Sequence, residues 1–590
     1  MAEDDGMGVR DLRTAAKDTL FHADVAIIGA GPAGLAIARE LANSKIRVLI
    51  VESGGFNFEQ DAQSLNRVEN IGEPHLRDGV VSPGRGYDGS LAWLNDIPAF
   101  ELRNRCVGGS SHTWVGKCAA FDKIDFERRS WLPGSGWPVT RDSLEPFFDR
   151  AGDLLNLGPN LYDARLRDHL RSPPEDLQFD QTKLRSFFWQ FSHQSAVKRE
   201  PFRFVEIARS LNAPNIEILT HSTVTRINVE PSGRAVTSLE VRSLTDHRVL
   251  VQARTVVLCS GGVENARLLL SSNAVMPHGI GNGRDVVGRY LADHPRTVIA
   301  RFPRATLEPV ARQFGFFGLT HKGNTHFYLH GLALSADIQA REGLLNCAAY
   351  PVQTLSSDDP WAALKRMARG SRTPGRDLLT VLRSPAMLAR GLYERQVLQR
   401  GLPRKSDELR FDVMVEQPPN PESRVTLSSS TDRLGIPMAQ VDWRIGSLER
   451  QSVKRLARLM QSEFKTAALP EPRLADWILA DDDQAGAFMD MAHPSGTTRM
   501  GDDPATSVVD ADSMVHGVDG LFIAGSSVFP TAGHANPTLM IVTLALRLAD
   551  HLKRRSALSG ATVRGGMRNG EVGGEILPLT TTSDNKFRGL

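Results

Sequence analysis

The sequence predicts an α/β protein of two lobes, one discontinuous and built on a largely parallel sheet, the other α+β with an antiparallel sheet. Three observations predict it. From Ala23 the chain reads strand, helix, strand (ADVAIIG, AGLAIARELAN, RVLIVE) within about 30 residues, and both strands are too apolar to face water. Between Asn215 and Cys259, short alternating runs separated by turn signals (EPSG, LTDH) read as a meander returning to that sheet. From Gly520 to Lys553 a strand (GLFIAGSS), a loop and a long helix (TLMIVTLALRLADHLKRR) close the ordered chain.

These elements set the expected boundaries. Residues 20–300 and 480–555 form the first lobe, and 301–479 form a second, substrate-binding lobe. In the latter, Phe411–Glu416 and Gln440–Trp443 read as strands and Ser447–Phe464 as an amphipathic helix. The first 20 residues read as a loosely packed arm, and 556–590, rich in Gly, Thr and polar residues, as a flexible tail. Between Trp361 and Lys405, eleven Lys/Arg stand against Asp377 and Glu394, with leucines interleaved as in a pair of basic amphipathic helices. A solvated face or subunit contact is the plain reading of that insertion; docking to a membrane or acidic partner is the sharper one.

Composition narrows the class. The 590 residues are 41 % hydrophobic and 23 % charged, which excludes coiled coil, collagen and wholesale disorder. Seventy basic residues against 68 acidic ones leave +2, no basis for a nucleic-acid partner. Cys106, Cys118, Cys259 and Cys347 lie far apart, so neither a disulfide framework nor a metal site is expected. The acidic start lacks an apolar signal core and no run is long enough to span a bilayer, so a cytoplasmic enzyme is expected.

Gly29-Ala-Gly31-Pro-Ala-Gly34 fits G-x-G-x-x-G between a strand and a helix. The first glycine permits the tight turn, the second admits a pyrophosphate, and the third lets helix and strand approach. The phosphate would sit at the helix N-terminus. Glu52 ends the second strand, where a carboxylate accepts ribose hydroxyls and repels a 2′-phosphate. FAD and NAD are not separated by this motif.

Later segments resemble the glucose–methanol–choline (GMC) oxidoreductase family, closest to its sugar- and pyranose-oxidase-like members. Arg105-Cys-Val-Gly-Gly-Ser-Ser-His-Thr-Trp is similar to the family's flavin-contacting loop, which implies Gly108, Gly109 and Ser110 over the isoalloxazine. Thr255–Leu270 resembles its second signature, and Val287-Gly-Arg-Tyr-Leu-Ala-Asp-His-Pro the segment that follows. His493-Pro-Ser-Gly-Thr-Thr-Arg-Met-Gly is similar to the catalytic-histidine motif. Gly520–Thr531 resembles the strand closing on the flavin, bringing Gly525 and Ser526 to it, and Asn536-Pro537-Thr538 opens the last helix. The resemblance covers roughly 20–300 and 410–553, and 310–405 match nothing.

It implies a Rossmann-like FAD-binding lobe and oxidation of an alcohol, a sugar, glycoside or polyol hydroxyl, by hydride transfer to flavin N5. His493 would be the general base and Asn536 the second catalytic group, with His534 in reserve. A histidine titrates near neutral pH, and an asparagine positions a hydroxyl without changing charge. His112 stands one residue before the position at which relatives tether flavin, which implies FAD held non-covalently with His112 packed nearby. Val224 matches a position whose backbone meets adenine in relatives; an ordinary strand valine explains it equally. Glu416 and Gln417 read as a structural turn before substrate contacts, and Trp361, Tyr393, Trp443 and Trp477 as core or sugar-stacking residues. Dioxygen or a quinone-like compound would be the acceptor, and a homo-oligomer is compatible with the sequence. The rival reading is a same-fold flavoprotein with lyase-like or non-catalytic, partner-docking function.

Overall fold

The computed structural model describes residues 8–16, 19–72, 103–194, 200–480, 486 and 488–568. Its first sheet runs in the order Gly8–Asp11, Ile216–Thr220, Val48–Val51, Leu20–Ile28, Arg248–Leu258, Val236–Arg242, Thr223–Val229. The first five strands are parallel and the last two pairings antiparallel. Arg248–Leu258 is one continuous strand. Its first half alternates exposed and buried residues and pairs with Val236–Arg242. Its buried second half pairs in parallel with Leu521–Ile523, as a strand covered on both faces must.

The helix Pro32–Leu41 starts on Gly31 with proline at its first position, where no N–H is needed. It packs along Thr538–Arg568, so the last helix lies in the same lobe as the glycine turn. The expected arm is in part an edge strand: Gly8–Asp11 pairs with Ile216–Thr220, and Leu12 is fully buried. The last helix continues beyond Ser556 to Arg568, and 569–590, the rest of the expected tail, lie outside the described residues.

A second, antiparallel sheet has the order Arg473–Leu474, Arg296–Pro303, Ser406–Val415, Cys347–Leu355, Asn324–Leu334, Leu184–Phe191, Lys117–Cys118, with Phe316–His321 also on Asn324–Leu334. Lys117–Cys118 and Leu184–Phe191 thus join this sheet, although the sequence reading places 20–300 in the cofactor lobe. The helix Ser447–Thr466 covers it, with Phe464 stacked on Phe314 at 5.4 Å. Arg424–Thr431, Pro437–Asp442 and Val68–Asn70 form a small third sheet.

Candidate active site

The glycine turn is built as its spacing requires. Gly29 has φ +102°, open to glycine at little cost, and an added Cβ would stand 2.9 Å from the Cys259 carbonyl. A Cβ on Gly34 would stand 2.1 Å from the Gly29 carbonyl oxygen, so only glycine lets this helix close on its strand. At Gly31 an added Cβ meets none of the described residues within 4 Å. That open backbone at a helix N-terminus is a place for a pyrophosphate.

Glu52 is buried at the end of its strand and accepts N–H bonds from Ala30 at 2.8 Å and Gly54 at 3.0 Å. It therefore ties the glycine turn to the next loop, a task beyond the ribose contact expected of it, and retains lone pairs for hydroxyl donors. Burial pushes its pKa up against the pull of those N–H groups. Ser222 N donates to the Glu52 carbonyl at 2.8 Å, which brings the start of the Val224 strand to the same end of the sheet.

The loop from Arg105 folds over this turn. Gly108 N donates to the Ala30 carbonyl at 2.8 Å, and a Cβ on Gly109 would stand 2.9 Å from Gly31 Cα. Gly108, Gly109 and Gly31 are thus in one place, while the Ser110 hydroxyl faces the Asn104 amide at 3.3 Å. His112 Nε2 lies 2.8 Å from the Val107 carbonyl, and burial lowers the pKa of the ring.

On the far side, Leu521–Ile523 leads into buried Gly525, whose φ is +108° and whose Cβ position meets none of the described residues within 4 Å, a second stretch of backbone with space beside it. Ser526 Oγ donates to the Pro494 carbonyl at 2.7 Å, and Gly496 N to the Ser526 carbonyl at 3.1 Å, so the histidine loop lies against this turn. Pro537 accepts from Ile541 N at 2.9 Å in the first turn of the helix that Thr538 opens.

His493 is held by its backbone. The Asp293 carboxylate accepts N–H bonds from His493 at 2.7 Å, Met491 at 2.9 Å and His294 at 2.6 Å, pinning two loops together. The His493 ring meets His294, Nδ1 to Nδ1 at 3.2 Å, and His294 Nε2 meets the Ala532 carbonyl at 3.2 Å. Burial, His294 and Lys117 hold the His493 pKa well below the usual histidine value, and burial brings that of His294 down to about 4. A carbonyl only accepts, so neutral His294 donates from Nε2 and its Nδ1 accepts from His493. The Nε2 of His493 is then an unprotonated lone pair.

Asn536 and His534 lie on the same loop, just past Ala532. Both are buried, and among the described residues the Asn536 Oδ1 and both His534 ring nitrogens have no hydrogen-bond partner. His534 packs edge-on against Phe187 at 4.6 Å, and burial lowers its pKa to about 3.

Sequence reasoning left three participants without a role. His294 and Asp293 stand in a segment it quoted, but their link to His493 spans the two loops. Lys117 is buried, its amine over the Tyr350 ring at 3.4 Å and the Trp189 ring at 4.3 Å. Burial and Arg296 pull its pKa well below the usual lysine value. A lone lysine in the run VGKCAAF was its only signal.

Other candidates take structural positions. Glu416 is paired with Arg129 through two bonds, at 2.7 Å and 2.5 Å, and Gln417 accepts from Trp443 Nε1 at 2.6 Å and Asp293 N at 2.9 Å. Trp443 is core, and Trp477 packs against Phe488 at 5.5 Å.

The open backbone at Gly31 and Gly525, the close approach at Gly34 and the unpartnered amide of Asn536 fit a flavin dinucleotide with an alcohol beside it. Residues 24–333 match the family described as FAD dependent oxidoreductase, and 419–545 the one described as GMC oxidoreductase. Paromamine 6'-oxidase of Streptomyces fradiae is 25 % identical over 89 % of this chain and 90 % of its own. C-glycoside 3-oxidase of Microbacterium trichothecenolyticum is 26 % identical over 90 % of this chain and 96 % of its own. Among solved structures, pyridoxine 4-oxidase from Mesorbium loti covers 90 % of this chain and 99 % of its own at 19 % identity and TM-score 0.51, a likeness of fold. The chain belongs to the FAD-dependent oxidoreductases, in their glucose–methanol–choline branch.

Proposed function

We propose that the protein oxidises a secondary or primary hydroxyl of a sugar or glycoside to a carbonyl, with His493 as general base. The observation that carries the chemistry is the chain Ala532 carbonyl–His294–His493, which presents His493 Nε2 as a lone pair. The substrate class rests on the paromamine and C-glycoside oxidases it resembles, an analogy of family.

Gly29, Gly31, Gly34 and Glu52 would hold the adenosine and pyrophosphate, with the Gly108–Ser110 loop and Gly525–Ser526 about the ring system; His112 would stay a packing residue beside non-covalent FAD. When bound, FAD supplies the hydride acceptor. His493 Nε2 takes the hydroxyl proton, and its Nδ1–H, held by His294, keeps the ring in that tautomer. Asn536 holds the same hydroxyl and stabilises the developing alkoxide without changing charge. The acceptor that reoxidises the flavin is an oxidant such as dioxygen or a quinone-like compound.

The depressed His493 pKa sets the pH dependence. A base whose pKa lies below 6.5 is already free at neutral pH and is lost only as pH falls through that lower value. Anaerobic flavin reduction, measured as kcat/KM against pH, is therefore expected to stay level from pH 8 to about 6.5 and to fall only below it. An acid limb at or above pH 7 would contradict the assignment.

No helix among the described residues is long and apolar enough to cross a membrane.

A further inference from the structure

The insertion Trp361–Lys405 takes no part in the site above, and the sheet does not need it. It connects Cys347–Leu355 to Ser406–Val415, antiparallel neighbours that a tight turn could join. Both its ends are pinned by one residue: Asp359 accepts from Ala362 N at 2.7 Å, capping the first helix, and from Lys405 N at 2.8 Å. Prolines 360, 374 and 385 begin three short helices, Pro360–Ala368, Pro374–Leu382 and Pro385–Gln396, in place of the expected pair. Gly391 lets the third close on the first, since a Cβ there would stand 2.3 Å from the Trp361 ring.

Two properties of its surface coincide. Seven of the sixteen large apolar side chains exposed among the described residues fall between Leu364 and Val397. Leu378, Leu379 and Leu382, spaced to share one helix face, are 47 %, 46 % and 66 % exposed. Patches of that kind on a soluble domain mark an interaction surface.

The second property is charge. Eleven basic residues face two acidic ones here, in a chain whose total is only +2, so the remainder of the molecule is net acidic. Both acids are engaged inside the insertion, Asp377 by Arg366 at 2.5 Å and Glu394 by Arg390 at 2.8 Å. Arg369, Arg372 and Arg383 form no ion pair among the described residues. A second copy presenting this face would oppose positive to positive, which disfavours a symmetric dimer through it.

We propose that this three-helix insertion docks the protein on an anionic membrane surface. Leu378, Leu379 and Leu382 enter the boundary between headgroups and acyl chains, and Arg369, Arg372 and Arg383 meet lipid phosphates. Apolar area and basic charge act together there, as a stable peripheral attachment requires. The protein lies on the bilayer and does not span it.

The test is co-sedimentation of the FAD-loaded full chain with phosphatidylglycerol–phosphatidylcholine vesicles and with phosphatidylcholine alone. The protein is expected to pellet with the anionic vesicles at least about tenfold more than with neutral ones, and to be released by high salt. Leu378→Ser/Leu379→Ser/Leu382→Ser and, separately, Arg369→Gln/Arg372→Gln/Arg383→Gln should each lower binding about tenfold, with flavin spectrum and soluble activity unchanged. Protein that stays in the supernatant with anionic vesicles overturns the proposal. So does binding that survives in both variants, or self-association abolished by the leucine variant without vesicle binding, which would assign the face to a second copy.

Discussion

Replacing His493 by alanine lowers the rate of anaerobic flavin reduction by roughly 100-fold or more, as loss of a positioned base does, while the protein stays yellow. The flavin is expected to be retained because the cradle proposed at Gly31, Gly109 and Gly525 would make no use of the imidazole. The loop is retained because Asp293 grips the backbone N–H of residue 493, not its ring. Stopped-flow absorbance at saturating substrate separates the two effects, since the lost step is chemical and KM should change less than kcat. Near-normal reduction in this variant would contradict the assignment and move the base to His534, whose ring nitrogens form no hydrogen bond among the described residues, the Asp122 carboxylate standing 3.9 Å from Nε2.

The largest loss of stability is expected at Arg129→Met. Arg129 and Glu416 are joined by two bonds, their side chains 1 % and 0 % exposed, and Glu416 also accepts the Asn346 N–H at 3.2 Å. Removing the guanidinium strands a carboxylate where water cannot reach it, a cost of about 3–5 kcal/mol. The Phe126–Arg129 segment would loosen from the strand end at Val415, and a thermal melt should show a clearly lower transition. Adding Glu416→Leu should recover most of the loss, because an apolar pair of similar size has no charge to strand. An unchanged melting temperature in Arg129→Met would show that Glu416 is solvated or neutralised otherwise.

The sequence makes the first lobe legible wherever one physical signal dominates. VLIV and ADVAIIG can only be buried parallel strands, and the glycines between them leave one backbone path. Gly8–Asp11 is not legible because GVRD is short and polar; its place at the sheet edge rests on backbone bonds to Ile216–Thr220 and on the ion pair of Arg10 with Glu217, partners more than 200 residues away. Leu184–Phe191 reads as a strand in isolation, yet nothing in LRSFFWQF says which sheet it joins. The same limit holds at the site. His493 was found through its motif, whereas the role of His294 arises from a contact 199 residues away in sequence. The insertion's charge was visible at once; that its leucines stay uncovered became visible only once three helices were packed.

The proposed function rests on reduction of a bound flavin by a sugar or glycoside hydroxyl. Its most direct test is the anaerobic visible spectrum of the purified protein, followed at roughly 450 nm during addition of sugars, glycosides and simple alcohols. Bleaching by a sugar or glycoside is expected, and a yellow supernatant after acid precipitation because His112 faces the Val107 carbonyl. A firmly bound flavin that none of these alcohols bleaches would contradict it and favour the lyase-like or partner-docking reading of the same fold.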